Sequence, residues 1–324
     1  MKRILFFAMI FATIAYLLCF PAEAFAASAD GLRLWFGTVL PSLLPFMILS
    51  DFLIHAGVIP RLLGHFERLS RHLLGLDAYG MYAFFLGLFC GYPMGARLTA
   101  ELYAQKKITR KEAEYLLTFS NNASPMFLTS YVLTNTLQAP RYTIPTFAIL
   151  WGSSIITSMI FRHHICRGQE EHSSGLKTPL PDYDGVSRTK KETSIGASIG
   201  HLIDVSIMNS FETITRLGGY IILFSIGVSI LLQITAPVPW AGWILPGVVE
   251  ITTGIRQIAA SPLPFAVRYL LILCCAAFGG LSTMAQTKGM LAGTPLSLSH
   301  YIKGKLTQTT VTLFLGILFL IVIG

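Results

Sequence analysis

Residues 89–97 read FCGYPMGAR and interrupt an otherwise apolar stretch with two glycines, a proline and an arginine. Proline lacks a backbone N–H and clashes with the preceding helical turn, and glycine relaxes the backbone. We therefore predict that no straight helix passes through Gly91 to Gly95. At membrane depth such a break is stable only where protein or a water-filled cavity satisfies the exposed backbone groups. Broken helices of this kind are where transporters bind their cargo.

A weaker copy of this stretch lies 189 positions later, where residues 278–286 read FGGLSTMAQ. Phe89, Gly91 and Ala96 align with the residues at 278, 280 and 285 of the second stretch without a gap. Three identities in a short window carry little weight alone, but both breaks interrupt apolar segments in corresponding places. We therefore predict two related halves, each containing a broken or re-entrant helix.

The composition is that of a membrane protein. Of the 324 residues, 53% are hydrophobic and 12% are charged, whereas soluble domains carry about 25% charged residues. Several apolar runs approach the roughly 20 residues that span a bilayer. We predict an all-α polytopic membrane protein whose net charge of +8 reflects cytoplasmic loops and not a nucleic-acid partner. The five cysteines have no metal-type spacing, and we expect buried thiols, no metal and no cofactor.

The sequence suggests four parts along the chain. Residues 1–27 begin with a basic pair and an apolar run, so they are either a signal peptide or a retained transmembrane helix. Residues 28–161 form the first half, and residues 199–324 form the second. Residues 162–198 are rich in Pro, Gly, Ser and basic residues, which predicts a cytoplasmic linker.

Further polar groups interrupt the apolar context. Residues 120–125 read SNNASP, and such a run is costly in a membrane segment unless it is partnered by neighbouring helices or by a ligand. Glu250 has no Lys or Arg within five residues on either side. It is either a functional intramembrane carboxylate or an interfacial side chain that reaches water. Pro41 and Pro45 predict a kink, or a hinge, in the segment Leu32 to His55.

The distribution of Lys and Arg along the chain is compatible with two arrangements of the halves. If both breaks are hairpins that enter from the cytoplasm, nearly every Lys and Arg lies inside, except Arg33 and Arg141. If the halves are inverted repeats, Pro239 to Ile258 is interfacial rather than spanning, and the basic residues after it lie outside. In both cases Lys303 and Lys305 precede a last helix that starts at Leu306.

The sequence lacks three motifs that indicate ATP use or hydrolysis. There is no Walker-type phosphate loop, no H-E-x-x-H zinc site and no G-x-S-x-G nucleophile elbow. The polar residues at predicted membrane depth are mainly Asn, Ser, Thr, Gln and one Glu. This set suits hydrogen bonding to a small polar solute, so we predict a carrier and not an enzyme.

Four stretches taken together resemble a known family. They are residues 31–46 (GLRLWFGTVLPSLLPF), 91–96 (GYPMGA), 122–125 (NASP) and 250–254 (EITTG). In this order they resemble the sporulation integral membrane protein family of endospore formers, which includes a stage V sporulation protein implicated in dipicolinate transport. That family is similar to nucleoside-recognition Gate domains, which resemble the core of concentrative nucleoside transporters. The linker after Phe161 matches weakly.

The resemblance implies a multi-pass carrier that moves dipicolinate, an aromatic dicarboxylate, across the outer forespore membrane, with residues 1–27 retained. Arg97 is then a candidate for binding a carboxylate, or else a structural arginine paired with Glu101. We assign Glu250 to coupling with H+ or Na+, because a carboxylate repels a dianion. The predicted substrate-binding residues are Gly91, Tyr92, Gly95, Arg97, Asn121, Asn122, Ser124, Gly280, Ser282, Thr283 and Gln286, and the predicted coupling residues are Glu250, Thr252 and Thr253.

Two other functions remain open at this stage. A nucleoside or nucleobase carrier would use the same breaks but would bind a neutral ligand. A non-transporting assembly protein of the spore envelope would use the breaks only for packing.

Overall fold

The computed structural model describes residues 2–55, 74–165 and 195–323. Within these ranges the chain is all-helical. The first part contains α1 Lys2–Cys19, α2 Pro21–Leu34, a π-helix Trp35–Val39, α3 Leu40–His55, α4 Ala78–Phe89, α5 Met94–Ala104, α6 Arg110–Leu117, a π-helix Phe127–Thr136, a 3-10 turn Pro140–Tyr142 and α7 Thr143–Ile165. The second part contains α8 Ile195–Thr235, α9 Pro239–Val249, α10 Ile251–Ala260, α11 Phe265–Phe278, α12 Gly280–Met290 and α13 Leu298–Ile323.

Four helical stretches in the described ranges are long and apolar enough to cross a membrane: Pro140–Arg162, Ile199–Thr235, Phe265–Met290 and Leu298–Val322. A fifth span is formed if α1 and the helix after it, which are bent by 111°, count as one crossing. The protein is therefore a multi-pass integral membrane protein, as its composition predicts.

The predicted first break is present and folds the chain into a hairpin. α4 ends at Phe89 and α5 begins at Met94. Gly91 between them has φ +82°, a left-handed conformation that favours glycine. Gly87 and Gly95 bring the two helices together around the backbone carbonyl of Ser120, where any side chain would collide. Glycine is thus required at these positions for the hairpin to close on the polar run at residues 120–125.

The second break interrupts its helix but does not form a hairpin. The prediction that Pro239 to Ile258 is one spanning or interfacial helix is wrong. Gly279, with φ +83°, separates α11 from α12, yet the two helices together form one candidate span. The hairpin of the second half lies earlier, in the segment predicted as a single spanning or interfacial helix. α9 ends at Val249 and α10 begins at Ile251, and the backbones of Gly247 and Gly254 meet in close contact.

Other helix boundaries also differ from the prediction. α13 begins at Leu298, so Lys303 and Lys305 lie inside the last helix and not before it. α3 continues through Pro45, so the two prolines do not end this helix, and the predicted kink stays a prediction. Arg and His residues among leucines in the segment Val58 to Asp77 predict an interfacial amphipathic helix. This segment lies largely outside the described residues, as does most of the predicted linker.

Ring contacts define one face of the helix bundle. Tyr142, at the start of α7, packs against Phe265 at the start of α11 and Phe319 near the end of α13. Arg268 donates to the carbonyl of Ala259, which brings the end of α10 to the same face. Since α7 runs from this face to the linker, we call it the far face, and the opposite one the linker face.

Replacing Gly87 by alanine tests the closed hairpin. The added methyl group meets the Ser120 carbonyl, so α4 must move away from the 118–124 segment. We expect a clearly lowered melting temperature, followed by tryptophan fluorescence of the detergent-solubilised protein. Gly219→Ala is the matched control, because nothing lies within 4 Å of the added methyl group and alanine favours a helix. Equal melting temperatures for both variants would contradict the packing described.

Glu112, near the start of α6 and outside the candidate spans, provides a pH test. Burial, and secondly the nearby Asp77 carboxylate, raise the pKa of Glu112 from 4.5 to about 8. The folded protein therefore holds a proton that the unfolded chain releases near pH 4.5. This contribution to stability is fully present below pH 4.5 and is lost as pH rises to about 8.

We expect the melting temperature of the wild type to fall over this pH window and that of Glu112→Gln to fall less. Glu114→Gln is the control, because Glu114 forms an ion pair with Arg110 near the surface. Parallel pH profiles for the wild type and Glu112→Gln would exclude the buried proton.

Candidate functional site

A central cavity lies where the two hairpins and the two interrupted helices meet. Its volume is about 50 Å³, room for a few water molecules. The residues that line it come from both halves of the chain: Val39, Leu43, Met47, Cys90, Gly91, Tyr92, Ala123, Ser124, Phe127, Thr213, Leu217, Glu250, Ile251, Thr252, Thr283 and Gln286. The tertiary structure therefore brings all four interruptions to one place.

Tyr92 connects the first hairpin to the second half. Its ring lines the cavity, and its hydroxyl donates to the backbone carbonyl of Ala276 at 3.0 Å. That carbonyl belongs to the last turn of α11, where helical hydrogen bonding ends before Gly279. Tyr92 thus supplies a donor that the break in α11 requires, and it fixes the hairpin tip against the opposite half.

Glu250 sits at the turn of the second hairpin and is 1% exposed. Its carboxylate accepts from the backbone N–H groups of Thr252 at 3.1 Å and Thr253 at 2.7 Å, and from the Thr252 hydroxyl at 2.6 Å. These contacts make Glu250 the N-cap of α10, where a negative charge is stabilised by the helix dipole. The cap explains how a carboxylate is tolerated here without a lysine or arginine next to it in the sequence.

Lys305 is a buried residue of this region that the sequence does not single out. Its side chain is fully buried, and Nζ donates to Gln308 Oε1 at 2.7 Å, to Tyr92 Oη at 3.3 Å and to Asn122 Oδ1 at 3.4 Å. Nζ also lies 5.1 Å from the centre of the Tyr92 ring. Gly304 lets α13 approach Thr118 closely, which places Lys305 beside the polar run at residues 120–125.

The partners of Lys305 are all neutral. Among the described residues no carboxylate forms an ion pair with Lys305. Asn122 Oδ1 also accepts from Gln308 Nε2 at 2.8 Å, so one amide oxygen serves both side chains. A buried ammonium ion is expensive unless an anion or several acceptors compensate for the lost water. Three neutral acceptors surround the ammonium group of Lys305.

Two helix N-termini next to the cavity lack a side-chain cap. α5 begins after Pro93 and α12 begins after Gly279, and neither N-cap residue accepts from the first turn. By contrast, Ser124 accepts from Phe127 N at 3.2 Å, and Glu250 caps α10. At α5 the N–H group of Met94 donates to the Gly91 carbonyl at 2.9 Å, and the partial positive charge of both helix N-termini favours an anion nearby.

The predicted substrate-binding residues divide into three groups. Those that line the cavity are Gly91, Tyr92, Ser124, Thr283 and Gln286. Those buried close behind it are Gly95, Asn121, Asn122, Gly280 and Ser282. The third group is Arg97 alone, which does not line the cavity.

Arg97 forms the ion pair that its structural alternative predicts, whereas carboxylate binding by Arg97 stays a prediction. Its Nε lies 2.9 Å from Glu101 Oε1, one turn further along α5, and both side chains are about one-third exposed. Of the predicted coupling residues, Glu250 and Thr252 line the cavity. Thr253 lies behind them, within 3.4 Å of the Ser225 hydroxyl.

Sequence reasoning missed Lys305, Gln308 and Asp51. Asp51 is a nearly buried carboxylate in α3 that accepts from Asn209 Nδ2 at 3.3 Å. It lines a small cavity that shares Met47, Cys90 and Thr213 with the central one. The signal for Asp51 is a single acid in an apolar run, the same pattern that indicates Glu250. Lys305 lies near other basic residues in the sequence, and such a group predicts a loop and not a buried side chain.

One relative of this chain is a sporulation membrane protein. The chain is 27% identical over 308 residues to the sporulation integral membrane protein YlbJ of Bacillus subtilis (strain 168). The alignment covers 89% of this chain and 75% of that relative. No protein-family model matches the chain. No solved structure matches it.

These comparisons confirm the resemblance to sporulation integral membrane proteins as distant homology. A Gate domain, transport and a substrate stay predictions.

Proposed function

We propose that this protein is a membrane carrier for a small organic anion, and that the cargo is dipicolinate moved across the outer forespore membrane. The observation that carries the proposal is Lys305, a fully buried lysine with neutral partners beside the central cavity. A bound carboxylate would supply the missing negative charge. Arg97, paired with Glu101 at 2.9 Å, has no part in this proposal.

The backbone supports an anionic cargo as well. The uncapped N-termini of α5 and α12 belong to helices that lead away from the cavity. Their partial positive charge acts in the same direction as Lys305. An aromatic dicarboxylate offers one group for the ammonium ion and one for a helix N-terminus, and its ring suits the apolar wall formed by Leu43, Phe127 and Leu217.

The size of the cavity bears on the transport cycle. At about 50 Å³ it holds water but not an aromatic dicarboxylate. We propose that this is a closed conformation, and that the hairpin tips separate to admit the cargo from one side at a time. The glycine contacts Gly87–Gly95 and Gly247–Gly254 would keep each hairpin rigid while it moves as a unit.

The order of elements supports two repeats in opposite orientation. In each half a hairpin is followed by an interrupted helix and then by a long helix: α4–α5, α6 with the π-helix Phe127–Thr136 and α7, then α9–α10, α11–α12 and α13. The first hairpin is followed by the basic loop at Lys106 and Lys107, whereas the second ends near Ala259 on the far face. Hairpins that enter from opposite faces suit alternating access.

A second candidate cargo is a nucleoside, and Gln286 favours it. Gln286 lines the cavity, and its Oε1 atom is buried with no hydrogen-bond partner among the described residues. A buried acceptor without a donor is costly. The imide N–H or ribose hydroxyls of uridine would supply a donor, whereas deprotonated dipicolinate has none. The non-transporting alternative predicts uptake of neither compound.

Replacing Lys305 tests the anion proposal directly. We expect proteoliposomes with the wild type to take up labelled dipicolinate, and Lys305→Met to lose most of this uptake because no cation then faces the carboxylate. Lys303→Met is the matched control on the same helix, because Lys303 is exposed. Melting temperatures of all three proteins show whether the variants fold.

Three results would contradict this assignment. Wild-type uptake of uridine with no uptake of dipicolinate would favour the nucleoside carrier. Absence of both would favour an assembly protein. Dipicolinate uptake that survives in a folded Lys305→Met variant would remove Lys305 from the binding site.

Replacing Glu250 by glutamine tests ion coupling. Glutamine keeps an oxygen that can accept from Thr252 or Thr253, so α10 stays capped, but it cannot bind a proton or hold Na+ as a carboxylate does. We expect dipicolinate uptake by Glu250→Gln to lose its dependence on pH or sodium. Glu212→Gln, at an exposed ion pair with Arg216, is the control. An unchanged ion dependence would leave Glu250 with a capping role only.

A further inference from the structure

A second cavity, of about 500 Å³, opens on the far face, and we call it the far vestibule. Its polar lining residues are Arg33, Thr38, Tyr131, Asn135, Thr136 and Arg256. They come from the α2 region, from the π-helix Phe127–Thr136 and from the end of the second hairpin. The two arginines are 223 positions apart in sequence, so only the fold brings them together.

The far vestibule carries excess positive charge. None of the described residues that line it is Asp or Glu. One carboxylate, Asp30, lies 3.7 Å from Arg33 Nη1 and, through its other oxygen, 3.7 Å from Arg256 Nη2. Both distances exceed a hydrogen bond, so each guanidinium keeps its donors for another acceptor. Two guanidinium groups that share one loosely held carboxylate can bind a further anion.

The position of these arginines is not explained by membrane topology. Basic residues concentrate on the cytoplasmic side of membrane proteins, and the sequence predicts that side to be the linker face, at which α7 ends. On the far face, Arg268 binds the Ala259 carbonyl and Arg141 lies over the Tyr142 ring. Arg33 and Arg256, by contrast, meet at a shared ion pair with Asp30.

One side chain joins the far vestibule to the central cavity. Tyr131 lines the vestibule, and its hydroxyl donates to the backbone carbonyl of Thr252 at 2.6 Å. Thr252 lines the central cavity next to Glu250. Tyr131 also stacks on Phe127, which is part of the cavity wall. An anion held by the two arginines would therefore lie one residue away from the proposed transport site.

We infer that the far vestibule is a second binding site for the carboxylate cargo, where Arg33 and Arg256 hold the anion before or after its passage through the central cavity. The cargo class rests on the proposed function, but the site rests on the arginine pair. Each guanidinium matches the planar fork of a carboxylate, and a dicarboxylate can engage both at once.

Chemical modification tests the site without any transport. The full-length protein in detergent is treated with phenylglyoxal, and the modification of each arginine is followed by peptide mass spectrometry. We expect dipicolinate to slow the modification of Arg33 and Arg256 several-fold, to leave Arg141 unchanged, and uridine to protect neither. Equal rates with and without dipicolinate would overturn the inference, whether or not the protein transports.

Transport kinetics provide the second measurement. In proteoliposomes we expect the double variant Arg33→Gln/Arg256→Gln to raise the KM for dipicolinate several-fold while the maximal rate stays near that of the wild type. Added salt raises the wild-type KM, because it screens the exposed arginines, and has less effect on the variant. Arg141→Gln is the control for lost far-face charge and keeps the wild-type KM.

The two proposals fail in different ways. If the wild type takes up no dipicolinate, the proposed function fails, and the phenylglyoxal experiment still decides the vestibule. If uptake is normal but the double variant has the KM and salt dependence of the wild type, the vestibule proposal fails and the carrier proposal stands.

Discussion

The whole architecture depends on one constraint: a backbone broken at membrane depth must find hydrogen-bond partners within the protein. The chain meets it by bringing its interruptions together. Tyr92 donates to a carbonyl at the end of α11, Glu250 caps α10, and Ser124 caps the π-helix region. Tyr92 thereby joins two of the interruptions, Glu250 and Ser124 satisfy the backbone of their own segments, and a polar cavity forms where the segments meet.

Burial of Lys305 has meaning only within that arrangement. A lysine in the last helix could reach water near the interface. Close packing at Gly304 instead holds it against Thr118 and the polar run at residues 120–125. Its hydrogen bonds to Gln308, Asn122 and Tyr92 satisfy the donors without neutralising the charge. The same residues thus stabilise the fold and leave an electrostatic demand that an anion would meet.

Local chemistry made part of the site predictable. Glycine, proline and runs of Asn and Ser act on their own segment of backbone, so the breaks near Gly91, Ser120 and Gly279 can be located from sequence. The hairpin turn at Glu250 could not be recognised, because its closure depends on the contact between Gly247 and Gly254. The sequence correctly places Arg97 next to the first break. Its side chain pairs with Glu101 along α5, and that direction depends on side-chain geometry.

The sequence by itself determined the membrane class, the helical secondary structure and the interruptions near Gly91, Ser120 and Gly279, because hydropathy and backbone chemistry are properties of neighbouring residues. The tertiary structure alone decided which distant groups come together: Lys305 with Tyr92, and Arg33 with Arg256. The reason is physical. Burial and charge pairing are set by which helices pack together, and that choice is made by contacts between residues far apart in the chain.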